Sequence, residues 1–227
     1  MRKVIGLLGF AGSGKGTVAD ILVDQYGYTK ISIADSVKDV ASVLFGWPRD
    51  LLEGDTKESR EFRETKDLFW TRKLGYDFTP RMALQKIGTE AGREVFHPDL
   101  WIFTLEKKLE YSNRIVIADT RFPNEIQFLK NKGAQIVTVT RGNYPEWYAW
   151  AVKQNRRELC YDHMQQYYPD VHISEWARLG TKEDYIIPNE GDLKDLEREV
   201  KLFLQWKPKR DIMTLSENKE NIYNETI

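Results

Sequence analysis

Nine residues near the amino end carry the chemistry that is easiest to name. Gly9-Phe-Ala-Gly-Ser-Gly-Lys-Gly-Thr17 fits a phosphate-binding loop with one shift: the hydroxyl residue that usually follows the lysine comes one place later, after Gly16. Glycines at 9, 12 and 14 let the backbone enter conformations closed to other residues, so successive N–H groups turn toward phosphate oxygens. A helix starting near Lys15 adds the positive end of its dipole. The reading is a nucleoside triphosphate site built from Ala11, Gly12, Ser13, Gly14, Lys15, Gly16 and Thr17. Lys15 supplies a full charge to the β- and γ-phosphates, and Thr17 reaches phosphate or a Mg²⁺-bound water. A second group follows at Asp119-Thr-Arg-Phe-Pro-Asn-Glu125. Asp119 can hold the water shell of Mg²⁺ or orient an acceptor, and Arg121 can neutralise a moving phosphoryl group or clamp an acceptor phosphate. A turn carboxylate and a surface ion pair are the plainer readings of the same two residues.

The elements that must position these groups alternate between short apolar runs and helical patterns. Residues 3–9 have the near-continuous hydrophobicity of a central parallel strand. Residues 15–26 place Val18, Ile21 and Leu22 at helical spacing and stop at Gly27. Further strands are expected at 29–33, 114–119, 134–140 and 184–188, the last marked as an end or edge by Pro188. Helices are expected at 36–45, at 124–132 before Gly133, and at 193–206. This order predicts an α/β fold: a three-layer sandwich with a central, mostly parallel sheet of about five strands. Asp119 then falls beyond the carboxyl end of a strand, where ligands of open α/β sheets sit.

Two stretches break the alternation. Residues 48–78 are charged, with Arg60, Arg63, Lys66, Arg72 and Lys73 among acids, and suit either a mobile helical flap or ordinary surface helices. Residues 143–180 are aromatic and polar and suit a helical insertion, placed after a strand where a lid can hang over a ligand. The tail, 207–227, is polar with little periodicity and reads as flexible.

Composition narrows the function classes. With 34 Lys+Arg against 35 Asp+Glu, the net charge of −1 gives no global basic footprint for duplex DNA or RNA. One cysteine, Cys160, excludes an internal disulfide framework and a cysteine-based zinc finger. His97, His163 and His172 have no metal-ligand spacing, so no bound zinc is expected. No apolar run approaches the roughly 20 residues of a membrane span. Met1-Arg-Lys3, the apolar run after it and Ala11-Gly-Ser13 mimic a short secretory signal, but a buried strand entering the glycine loop explains the same residues better. A cytoplasmic protein is expected, monomer or homodimer.

With these residues in view, the chain resembles the bacteriophage deoxynucleoside monophosphate kinases, within the wider nucleoside monophosphate kinase group of phosphate-loop proteins. The matching blocks are Gly9 to Thr17; Ile33-Ala-Asp-Ser-Val-Lys-Asp39; Arg63-Glu-Thr65; Arg81-Met-Ala-Leu-Gln-Lys-Ile-Gly-Thr-Glu90; Asp99-Leu-Trp101; Ile117-Ala-Asp-Thr-Arg121; His172-Ile-Ser-Glu175; and Ile187-Pro-Asn-Glu-Gly191. They run in order over residues 1 to about 205. The resemblance implies transfer of the γ-phosphoryl of ATP, with Mg²⁺, to a deoxynucleoside monophosphate of the dGMP, dTMP or modified dCMP type. It makes residues of about 36–110 the acceptor-binding helical segment and about 143–180 the lid. Lys15, Asp119 and Arg121 become catalytic, and Thr17 and Asp119 the Mg²⁺ contacts, directly or through water.

By the same resemblance Lys38, Arg63, Arg81, Gln85, Trp101 and Arg121 face the monophosphate. Their chemistry agrees: arginines grip a phosphate dianion by paired hydrogen bonds, Gln85 offers a donor and an acceptor to a base edge, and Trp101 can stack or pack a wall. Arg81, Gln85 and Gly88 share one face of an expected helix. Plainer readings stand beside these: a core tryptophan, a solvated Lys38, an ion-paired Arg63, and His172 and Glu175 as local caps. Arg141, Arg156 and Arg157 are the candidate lid arginines. Another small-molecule kinase (for shikimate, gluconate or dephospho-coenzyme A) and a regulatory ATP-binding module are the competing functions.

Overall fold

The computed structural model describes residues 3–110 and 113–207; residues 208–227 of the polar tail lie outside the described residues. Five strands, β1 (Lys3–Leu8), β2 (Thr29–Ile31), β3 (Arg114–Ile117), β4 (Gln135–Thr140) and β5 (Tyr185–Pro188), pair in the order β2-β3-β1-β4-β5, all parallel. β1 is central, and every residue after Lys3 is buried. Its side chains alternate between two cores, as the period of a strand demands. Ile5 and Leu7 face α1 (Lys15–Tyr26) and α11 (Leu193–Gln205), meeting Val18, Ile21, Leu22, Leu196, Val200 and Phe203. Val4 and Leu8 face α6 (Leu100–Leu109) and α7 (Pro123–Asn131), meeting Leu105, Leu109, Ile126 and Leu129. Each such buried side chain contributes roughly 1.5–3 kcal/mol of transfer free energy. Gly6 lets α7 come close: the space of a Cβ is taken by Leu129 Cδ1 and Ile136 Cδ1.

Segment 35–110 is helical and has an interior of its own. α2 (Asp35–Phe45), α3 (Lys57–Glu64), α4 (Leu68–Leu74) and α5 (Pro80–Gln85) surround Ala41, Trp47, Leu52, Phe78 and Ala83. Phe45 stacks on Trp47 with centroids 4.6 Å apart, and the Trp47 indole N–H donates to Asp67 at 2.7 Å. The stretch expected as a charged flap thus folds around aromatics spaced too irregularly to show a helical period. α5 runs directly into a π-helix, Lys86–Phe96. Arg81, Gln85 and Gly88 line one cavity, as their expected common face allows, but α geometry ends at Gln85 and the wider turns that follow carry Gly88. The Trp101 indole N–H donates to the Gly88 carbonyl at 2.7 Å, and its ring occupies the space where a Cβ on Gly92 would stand. Glycine at 92 is what lets the ring in.

Residues 143–180 carry α8 (Tyr148–Asn155), α9 (His163–Tyr167) and α10 (Ile173–Trp176) around Ala151, Met164 and Leu179. Phe10, from the glycine loop, packs into this cluster and meets Trp147 edge-on at 5.7 Å. The insertion is thereby moored to the loop itself. Among the described residues no helix is long and apolar enough to cross a membrane.

Candidate active site

The loop after β1 has the backbone its glycines permit. Gly9, Gly12 and Gly14 take φ of 147°, 77° and 97°. α1 starts at Lys15 with Gly14 as its left-handed N-cap and no side-chain cap, so its first N–H groups face the loop. The Lys15 ammonium donates to the carbonyls of Gly9 at 2.9 Å and Phe10 at 2.7 Å. Burial, then the charges of Arg121 and Arg178, bring its pKa down to about 8, with Glu175 and Asp119 opposing. Ala11, Gly12, Gly16 and Thr17 are exposed, and Ser13 is buried. The loop is pinned from β5's side: Asn189 Nδ2 donates to the Ser13 carbonyl at 2.9 Å, and a Cβ on Gly14 would collide with that nitrogen.

Beside the loop lies a cavity of about 200 Å³, and Lys38, Arg63, Arg81, Gln85, Trp101, Asp119 and Arg121 all line it. Five cations, Lys38, Arg63, Arg81, Arg93 and Arg121, thus converge on one space with the carboxylates of Glu53, Asp119, Glu125 and Glu175, above a floor of Ile33, Val37, Leu84 and Trp101. Most are held by carboxylates: Lys38 by Glu53 at 2.6 Å, Arg81 by Glu64, and Arg121 by Glu175 at 2.8 Å. Among the described residues Arg63 has only the Glu53 carbonyl at 3.2 Å, and its Nε is buried without a partner there. Burial and the nearby charges of Arg81 and Arg121 lower its pKa. Trp101 is buried, so it forms the wall of this space more than a free stacking platform. The Gln85 amide makes no hydrogen bond among the described residues. A site that sets guanidinium groups beside an apolar floor suits an organic phosphate.

No family model matches the chain. A protein of Acanthamoeba polyphaga mimivirus assigned as a deoxynucleotide monophosphate kinase is 34% identical over 151 residues, which is 61% of this chain and 74% of that protein. The chain belongs to the deoxynucleoside monophosphate kinase family. The deoxynucleoside-5'-monophosphate kinase of Escherichia phage T5 is 28% identical over 183 residues, 57% of this chain and 72% of that protein. Among solved structures, a dephospho-CoA kinase from Campylobacter jejuni aligns over 89% of this chain and 96% of its own, at 15% identity and a TM-score of 0.44.

In this deoxynucleoside monophosphate kinase family member, Asp119 does work the sequence did not announce. Its carboxylate accepts from the Ser32 hydroxyl at 2.6 Å and from the backbone N–H of Ala34 at 2.8 Å and Ile33 at 3.0 Å. It ties the β2–α2 turn, one wall of the cavity, to the end of β3. Glu125 does the same for Arg121: buried on α7, it accepts from the backbone N–H of Arg121 at 2.6 Å and Phe122 at 3.0 Å while paired with Arg93. The run Phe122-Pro-Asn-Glu125 has the spacing by which a glutamate reaches back over a helix start, a signal that could have found it.

The lid arginines fall differently from expectation. Arg156 and Arg157 are exposed and line neither the cavity nor a smaller pocket beside Phe10, while Arg141 lines that pocket but is exposed. The insertion's buried arginine is Arg178, which sequence reasoning missed. Its guanidinium lies 4.6 Å over the Phe10 ring and donates to the Glu175 carbonyl, and burial brings its pKa down to about 10. The physical reason is packing: Phe10 offers a ring face to whatever follows α10. Among the described residues no cluster of three or more His, Cys, Asp or Glu is placed to hold a metal ion.

Proposed function

We propose that this kinase transfers the γ-phosphoryl group of ATP to a deoxynucleoside monophosphate of the dGMP, dTMP or modified dCMP type, yielding the diphosphate. One observation carries the reading: the acceptor-type cations Lys38, Arg63, Arg81 and Arg121 line a single cavity whose Asp119 and Arg121 follow β3, the strand paired beside the β1 that leads into the phosphate loop. Donor and acceptor sites are therefore neighbours.

The acceptor's phosphate oxygen is already ionised at neutral pH, so no strong general base is needed, and catalysis is positioning plus charge neutralisation. The loop N–H groups and Lys15 hold the donor's β- and γ-phosphates. Arg63, Arg81 and Arg121 grip the acceptor phosphate, Gln85 meets the base edge, and Trp101 with Leu84 and Val37 forms the apolar wall. Arg178, already beside the loop, is the insertion's cation for the transferred group. Thr17 and Asp119 would hold a Mg²⁺ ion arriving with the donor, and it would supply further charge neutralisation. The donor set fits it: Thr17 is exposed and, among the described residues, Asp119 Oδ1 accepts one hydrogen bond, enough for an ion that arrives with phosphates and keeps waters. The proposed setting is the host cytoplasm.

A product assay with ATP, Mg²⁺ and each of the four deoxynucleoside monophosphates tests the reading; ADP formed with none of them would refute it. Lys15→Ala should abolish transfer in a folded protein. Arg81→Ala should raise the acceptor KM more than the ATP KM, and equal effects on both would remove Arg81 from the acceptor site.

A further inference from the structure

The carboxylates around the cavity are not equivalent. Glu53 is held by both Lys38 and Arg49, and Glu125 by Arg93 and two backbone N–H groups. The Glu175 carboxylate has one hydrogen-bond partner among the described residues, Arg121 Nη1 at 2.8 Å, and it stands on α10, a helix of four residues. It faces the cavity, and the positive charges of Arg121, Arg178 and Arg81 all act on it. Arg121 cannot present its full fork to a phosphate while one arm is engaged by a carboxylate.

We infer that Glu175 is an internal counter-anion: it occupies the acceptor phosphate's place on Arg121 when the cavity is empty and must be displaced by the incoming phosphate. It is thus a specificity-determining residue, because a phosphate dianion outcompetes a single carboxylate charge on this cluster where a monoanion does not. The main-chain carbonyl of Glu175 accepts from Arg178, the guanidinium over the Phe10 ring, so the residue stands between the cavity and the glycine loop. This inference rests on the cavity being the acceptor site.

Calorimetric titration of the full chain with inorganic phosphate and with dGMP and dTMP tests it, on the parent, Glu175→Gln, Arg121→Gln and the double variant. Glu175→Gln should bind inorganic phosphate and the nucleotide about fivefold tighter, the shift that ~1 kcal/mol represents, and the gain should vanish in the Arg121→Gln background. In turnover the acceptor KM should fall with kcat unchanged or lower. Glu175→Asp, which keeps the charge and withdraws it by one methylene, should tighten phosphate binding in the same direction and serves if the glutamine variant does not fold. Unchanged or weaker phosphate binding in a folded Glu175 variant, or a gain that persists without Arg121, would overturn the inference. Phosphate binding that tightens in a protein that binds neither nucleotide would leave the counter-anion standing and remove the acceptor-site reading instead.

Discussion

The carboxylate of Glu125 accepts the backbone N–H of Arg121 at 2.6 Å, so a residue sealed beneath the cavity wall decides where the cavity's arginine emerges. Glu125 is 1% exposed, and its charge is met by Arg93, whose guanidinium also lies 4.0 Å over the Phe122 ring. Replacing Glu125 with glutamine leaves the half-buried Arg93 without its counter-charge. The expected result is a loss of about 3–5 kcal/mol in denaturant unfolding. In the protein that remains folded, the acceptor KM should rise while the ATP KM holds, read by steady-state kinetics on each substrate.

The lowered pKa of Lys15, about 8, makes activity and stability respond oppositely to pH. In the free protein Lys15 loses its proton above that value, so kcat/KM for ATP should fall toward a slope of one log unit per pH unit. Bound triphosphate favours the protonated amine, so kcat should persist to higher pH. In the unfolded chain the group titrates at its ordinary 10.5. Between these two values the unfolded state carries more protons, and this group's contribution to folding stability rises with pH. Pairing pH–rate profiles with thermal unfolding over the same range checks both signs. The Lys15→Met variant, which should not turn over, should lack the Lys15 part of the unfolding profile.

Asn189 and Gly14 form a lock on the phosphate loop. Asn189→Ala frees the Ser13 carbonyl and should raise the ATP KM roughly tenfold, the scale of one buried hydrogen bond. Gly14→Ala meets two obstacles, a φ of 97° and the Asn189 amide. It should abolish measurable ATP binding. Adding Asn189→Ala to Gly14→Ala relieves the collision and leaves the dihedral strain, so the pair should recover part of the binding lost by Gly14→Ala alone; isothermal titration with an ATP analogue distinguishes the outcomes.

Arg178→Lys keeps the charge and discards the planar contact with Phe10. Under the proposed role kcat should drop on the order of a hundredfold with the acceptor KM little changed. Phe10→Leu, which removes the ring and keeps the arginine, should give a smaller fall. Single-turnover measurements separate this from slow product release.

The architecture was legible because local patterns decide it. The apolar run of β1 explains its burial on both sides, Gly27 and Gly133 take the left-handed φ that stops helices, and Pro188 sits at the end of an edge strand. The cavity proposed for the acceptor was legible only through ordered blocks, since Lys38, Arg63, Arg81 and Arg121 come from segments with no common period. What remained hidden depends on tertiary apposition. Nothing local to Asn189 points at Ser13, 176 residues away, and nothing local to Arg178 points at Phe10. The π-helix escaped for a related reason: its turns are widened where Trp101 seats against Gly88 and Gly92, a contact the segment alone does not contain. Asp119 was read as a metal contact from its place at a strand end, and the structure adds the three bonds by which it holds residues 32–34.

The phosphate loop springs from the end of β1 and the Asp119–Arg121 turn from the end of β3, and these two strands are immediate neighbours, with Gly6 level with Ile117. Adjacent parallel strands lie about 4.8 Å apart. The gap across which a group would be passed is therefore metered by a ladder of main-chain bonds rather than by any hinge. Loosening an outer strand would leave that gauge intact. Only a slip between β1 and β3 would reset it, and such a slip would turn every buried side chain of β1 to the wrong face.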